Sequence, residues 1–257
     1  MVYLLVCTVA FLASGLTFFS GFGLGTLLLP AFAVFIAVES AVALTAVVHF
    51  LNGIFKLFLV WRNIDWGIVW RFGFLAIVGA FAGAWTLLLL ANAAPLLTYG
   101  AFGRTLEVTP AKLIVGLLLL FFACAEALPS FRKVTFSARY LPLGGLISGY
   151  FGGLAGMQGA LRSAFLVKAG LRKEAYVATG AAIAFLIDVS RLTVYSRIIG
   201  ERYADFDLWL LSAAVVSAFL GATVGNQYLH KMTMGGIQVI VAGLLLLVSL
   251  GLISGVL

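Results

Sequence analysis

Ser14 to Gly25 reads SGLTFFSGFGLG, and Ser148 to Gly159 reads SGYFGGLAGMQG, an offset of 134 residues. Both stretches are glycine-rich and lie inside long uncharged sequence. The likeness continues downstream, where Glu39 to Lys56 matches Glu174 to Arg191 at an offset of 135. Val42, Ala43, Ala46, Phe50 and Leu51 recur there as Val177, Ala178, Ala181, Phe185 and Leu186, and a base closes each stretch. Gly79-Ala80-x-x-Gly83 recurs as Gly221-Ala222-x-x-Gly225 at an offset of 142, and Asp65 pairs with Asp207 at the same offset. Gly116 and Gly243 are each followed by four leucines. Duplicated halves whose apolar segments are interrupted at matching positions mark a secondary transporter with its site between the repeats.

Composition agrees. Of 257 residues, 63% are hydrophobic and 10% charged, and soluble domains carry about 25% charged residues. No charge interrupts 2–38, 40–55, 72–103, 113–125, 140–161, 175–187, 208–229 or 232–257, and a membrane helix needs roughly 20 such residues. A net charge of +7 would suggest nucleic acid in a soluble protein. Here the bases sit in short loops, where they set topology. Cys7 and Cys124 lie in apolar runs without spaced partners and are expected to be small buried hydrophobes. The opening residues lack the basic start of a signal peptide and run into the repeat, so they are expected in the mature protein.

The expected fold is an all-α integral membrane protein of two inverted four-element repeats. The first, 1–128, holds a broken segment over 2–38 and helices over 40–60, 67–91 and 110–127. A basic loop over 129–141 leads to the second, 142–257, with a broken segment over 142–170 and helices over 174–197, 207–229 and 234–256. An unbroken helix over 2–38 would reach ~55 Å against a hydrocarbon core of about 30 Å. It therefore breaks, at Gly21-Phe22-Gly23-Leu24-Gly25.

Eight plain crossings divide the loop bases seven against six, which gives no orientation. A hairpin opening each half puts Arg62, Arg71, Arg132, Lys133, Arg139, Lys168, Arg172, Lys173 and Lys231 on one side. Arg104, Lys112, Arg197 and Arg202 remain on the other. That division satisfies the positive-inside rule, inverts the halves and leaves both termini outside. Re-entrant and fully crossing hairpins give the same charge sides.

Glycines at membrane depth put non-helical backbone where only protein or a wet cavity can satisfy it. If helices restart after Gly25 and Gly159, their N-termini offer free N–H groups and a positive dipole end to an anion. Gly21, Gly23, Gly25, Gly156 and Gly159 are therefore candidate substrate contacts, with Ser20, Thr26, Gln158 and Ser163 as neutral partners. Helix packing is the rival reading, because Gly21/Gly25, Gly145/Gly149 and Gly149/Gly153 fit the small-xxx-small pattern. The glycines at 79/83 and 221/225 are assigned to packing.

His49, Asn52 and Lys56 share one helical face, as do Asp188, Arg191 and Tyr195 on the equivalent helix. Charges inside a membrane cost about 2.5–3.5 kcal/mol on insertion scales and face a partner or a cavity. Lys56 and Arg191, equivalent across the repeat, could make a positive site between the halves, with Asn52 beside it. The rival is that Lys56 snorkels to the interface and Arg191 pairs with Asp188. Asp188 can neutralise Arg191, which favours a structural role there. His49 and Asp188 are the groups suited to proton coupling. Arg162, just past the second glycine cluster, is a further anion contact without a basic counterpart. Glu39 and Glu174 start helices and complement their dipoles. Glu126 is expected at an interface, and Trp61, Trp66, Trp70 and Trp209 in an aromatic belt.

No G-x-S-x-G, H-E-x-x-H or P-loop occurs, and two histidines cannot supply a multi-histidine metal site. No enzyme, cofactor, metal or nucleic-acid partner is expected. With SGFGLGTLLLP, its echo SGYFGGLAGMQGA and the two-half layout in view, the chain resembles the sulfite exporter TauE/SafE family of bacterial inner-membrane permeases over nearly its full length. The resemblance implies export of sulfite or a small organosulfonate such as sulfoacetate, driven by an ion gradient such as protons. It also implies a multi-pass protein of the bacterial inner membrane, so the outside termini become periplasmic. A channel-like anion pore and a non-transporting membrane partner protein are the rival functions.

Overall fold

The computed structural model describes residues 1–20, 24–101, 103–128, 134–202, 206–228 and 234–257. Gly21, Gly23, Arg132, Lys133 and Lys231 fall outside them, as do the side chains of Ser20 and Glu126. The first half holds α1 (Val2–Ser20), α2 (Leu24–Ala33), α3 (Val38–Val60), α4 (Trp66–Ala91) and α5 (Pro110–Ala127). The second holds α6 (Leu141–Ala155), α7 (Gly159–Leu166), α8 (Lys173–Glu201), α9 (Leu208–Tyr228) and α10 (Met234–Ile253). Val38–Asn63, Trp66–Ala91, Lys173–Glu201 and Leu208–Gly225 are long and apolar enough to cross a membrane. The protein is an all-α integral membrane protein.

The second glycine break is a helical hairpin. Gly156 ends α6 in the left-handed region at φ +74°, a conformation that favours glycine. The chain then doubles back: Ser148 Oγ donates to Gln158 O at 3.0 Å, and a side chain at Gly144 would meet the Phe165 ring. In the first half α2 packs on both α1 and α3. At 1.5 Å per residue, the described lengths of α2 and α7 are only ~15 and ~12 Å, against a hydrocarbon core of about 30 Å.

Local signals set the helix starts. The Asp65 carboxylate accepts from Ile68 N at 3.0 Å and caps α4. Its counterpart Asp207 accepts from Trp209 N and Leu210 N, and Tyr3 Oη donates to its other oxygen at 2.6 Å. The Tyr3 bond first, with help from those N–H groups, holds the Asp207 carboxyl below the usual carboxylate range. Thr109 caps α5 ahead of Pro110.

Glycine seams join elements of opposite halves. A Cβ on Gly79 or Gly83 of α4 would fall on the carbonyls of Leu146 or Tyr150 in α6, and one on Gly145, Gly149 or Gly153 would fall on those of Phe72, Ala76 or Ala80. On the other side, α9 meets α1: a Cβ on Gly221 would fall on Phe11 O, and one on Gly225 would lie 2.6 Å from Gly15 Cα. The packing role read for 79/83 and 221/225 holds, and Gly145, Gly149 and Gly153 join it. Besides these seams, α5 packs on α10 and α3 on α8.

Three features depart from the sequence reading. Leu97–Ala101 and Arg104–Val108 form an antiparallel hairpin, β1–β2, which hydropathy does not reveal. It ties down the C-terminus, with Tyr99 Oη donating to Ser254 O. Cys124 is exposed and Cys7 half-buried, because the outside of a membrane protein is as apolar as its core. Glu39 starts α3 as expected but also pairs with Arg202 at 2.9 Å. The four belt tryptophans are exposed.

Candidate functional site

The polar faces of α3 and α8 meet inside the bundle. Phe50 and Phe185 stack against each other with centroids 5.5 Å apart. One side of this contact carries the ionisable groups. His49 Nδ1 lies 2.6 Å from Asp188 Oδ2. A carboxylate only accepts, so the proton between them is the imidazole's N–H when Asp188 is ionised. Asp188 is fully buried and links both halves of the chain.

The other Asp188 oxygen serves two donors. Arg191 Nε donates to Oδ1 at 3.0 Å, and Gln158 Nε2 donates to the same atom at 3.2 Å. Arg191 Nη2 sits 2.8 Å from Oδ1 without hydrogen-bond geometry. Arg191 Nη1 donates to Gly152 O at 3.2 Å, and the Tyr195 hydroxyl donates to Gly153 O. These carbonyls belong to the last turn of α6, where a cation complements the dipole, and Gly152 O also accepts from Gly156 N at 2.9 Å. Arg191 thus fastens the tip of the α6–α7 hairpin. A Cβ on Gly156 would lie 2.9 Å from its Nη1, so the tip also leaves no room for a side chain.

The two broken helices meet at this point. A Cβ on Gly25 would lie 2.8 Å from Gly156 O. Thr26 and Gly159 are buried beside them, and α7 starts at Gly159 with no side-chain cap on its first N–H groups. Arg162, one turn into α7, donates to Gln158 Oε1 at 3.1 Å, and Ser163 follows it on the same short helix.

The rest of the α3 face turns to α1 and α9. Lys56 Nζ donates to Ser14 O at 3.2 Å, so it points into the protein rather than snorkelling. With its amide oriented by its partners, Asn52 accepts from Ser14 Oγ at 3.0 Å and Lys56 Nζ at 3.3 Å, and donates to Ala218 O at 3.3 Å. Arg162 is half-buried and comes from the other half of the chain. Of the expected site residues, His49, Asp188, Arg191, Gln158 and Arg162 form one chain of contacts. Asn52 and Lys56 form a second cluster, and Gly25, Thr26, Gly156 and Gly159 lie at the tips. Ser20, Gly21 and Gly23 lie outside the described side chains.

The sequence reading passed over two members, Ser14 and Ser148. Each opens one of the two glycine-rich stretches, and both bond to polar groups of the site, Ser14 to Asn52 and Ser148 to Gln158 O. A serine ahead of the first glycine of each stretch was the available signal.

The chain matches the family described as Sulfite exporter TauE/SafE over residues 6–252. Membrane-length apolar helices and that match define a multi-pass membrane transporter of small anions, not an enzyme. The protein belongs to the TauE/SafE family. No match was found among curated proteins or solved structures.

Proposed function

We propose that the protein exports sulfite or a small organosulfonate such as sulfoacetate across the bacterial inner membrane by alternating access. The observation that carries this reading is the meeting of the two glycine tips, Gly25 against Gly156, amid buried groups from both halves. The anion binds between these tips, at the N–H groups that open α7, which have no side-chain cap, with Lys56 and Arg162 supplying positive potential. Arg191 acts mainly by holding the tip.

The two halves, 1–128 and 142–257, are read as inverted repeats that rock against each other. The exchange of packing partners supports this: the opening helix of each half, α1 or α6, packs on the glycine seam of the other, α9 or α4. His49 and Asp188 form the coupling pair. Protonating Asp188 would remove the negative charge that pairs α3 with α8 through His49, and so loosen the link between halves. Both termini lie in the periplasm on the positive-inside assignment.

The test is sulfite flux in sealed proteoliposomes of the purified chain, with and without an imposed proton gradient. Saturable flux that follows the gradient, and loses that response in His49→Gln, is the expected result. Flux that neither saturates nor follows the gradient would make the protein a pore instead.

A further inference from the structure

The side chain of Gln158 is strung between two groups of opposite charge. It is buried at the turn from α6 into α7. Its Nε2 donates to Asp188 Oδ1 at 3.2 Å, and its Oε1 accepts from Arg162 Nη1 at 3.1 Å. A carboxylate only accepts and a guanidinium only donates, so these partners allow the amide one orientation. Turned over, it would set oxygen against oxygen at Asp188 and donor against donor at Arg162. Hydrogen bonds to ionised partners are roughly twice as strong as neutral ones, so both ends hold that orientation. The backbone of the same residue has a separate task. Its carbonyl accepts from Ser148 Oγ at 3.0 Å and from Arg162 N at 2.9 Å, which starts α7 without help from the side chain.

We infer that Gln158 is a positioning residue that carries the protonation state of the His49–Asp188 pair to Arg162. This rests on the transport reading above, in which the pair takes the proton and Arg162 faces the anion, and it supplies the link between them. A proton on the pair, at either partner, lessens the negative charge that the Gln158 nitrogen faces. Charge assistance at that end weakens, the amide is free to turn, and Arg162 loses the oxygen that holds its Nη1. The released N–H then answers an anion, whereas without the proton Gln158 keeps it occupied. The charged and titratable groups around Asp188 are His49 from α3, Arg191 and then Tyr195 along α8, and Arg162 from α7 through Gln158. Arg191 and Tyr195 are tied to the Gly152 and Gly153 carbonyls of α6. Gln158 is the neutral member of this set, and its two bonds run from the proton-accepting pair to the anion-facing base.

The test is sulfite flux in sealed proteoliposomes of the full chain, with pH on the sulfite-loaded side held constant and pH on the far side varied. Each variant is read as its flux with the gradient over its own flux without it. The wild type is expected to gain at least ~5-fold. Gln158→Met keeps the backbone contacts that start α7 but loses both amide bonds, so its gain should fall below about twofold. Gln158→Glu can donate to Asp188 and accept from Arg162 only when its own carboxyl carries a proton. Its gain should stay below about twofold with the loaded side at about pH 8, and recover to at least about half the wild-type gain at about pH 6. A merely structural glutamine gives no such rescue. Wild-type gains in both variants, a loss in Gln158→Met that Gln158→Glu restores at neither pH, or no flux in either variant would overturn the inference. A wild type that moves sulfite without following the gradient removes the coupling reading and this inference with it. A wild type that follows the gradient along with both variants removes the role of Gln158 alone.

Discussion

Asp188 holds more of the site together than any other single side chain. It faces His49, Gln158 and Arg191, with no exposed surface. Replacing it with alanine leaves a buried guanidinium without its counter-charge, a loss of roughly 3–5 kcal/mol in buried pairs of this kind. Asp188→Ala is therefore expected to unfold at a clearly lower temperature in detergent. An Asp188→Ala/Arg191→Met double variant, which removes the orphan charge as well, should recover much of the loss. If the double variant is the less stable of the two, the ion pair does not dominate this packing. The pairing of Asp188 with Arg191 was legible in the sequence because three residues separate them on one helix. His49 and Asp188 are 139 residues apart. Their contact depends on which face of α3 meets α8, and hydropathy along one chain does not carry that.

At the level of elements, the glycines fall into two kinds that composition cannot separate. Gly83 lets α4 touch α6 backbone to backbone, and any Cβ there would fall on Tyr150 O. Gly243 has open space where a Cβ would stand. Gly83→Ala is expected to cut the yield of folded protein sharply by forcing the α4–α6 seam apart. Gly243→Ala should leave it unchanged or raise stability by up to about 1 kcal/mol through helix propensity. Size-exclusion profiles and melting curves of the two variants would test the contrast. If both behave alike, the seam yields more readily than its contacts imply. Element boundaries were legible within a few residues wherever Pro110, Pro142, Asp65 or Glu39 marked a start. The β1–β2 hairpin was not, since its strands are short and half-exposed and two strands alternate too briefly to stand out from an apolar background.

For the whole molecule, the charge sides make a topological prediction. In a Cys7→Ser/Cys124→Ser background, cysteines placed at Lys168 and Arg71 should react with a membrane-impermeant maleimide only from the cytoplasmic side. One placed at Arg104, on the β1–β2 hairpin, should react from outside. Labelling of all three from one face would remove the inverted reading. The class of the protein was legible because composition and the glycine-rich motifs act over nearly the full length. The site was legible only in part, because which polar side chains meet depends on how the halves interlock. That interlocking also governs biogenesis. α1 has its main seam with α9, and α5 packs on α10, whose end is held by β1–β2. A nascent chain must therefore keep its first helix waiting in the bilayer until nearly all of the protein has been synthesised. During that interval the bare α1 surface is open to quality-control proteases and to wrong partners, and a truncated translation product never closes it.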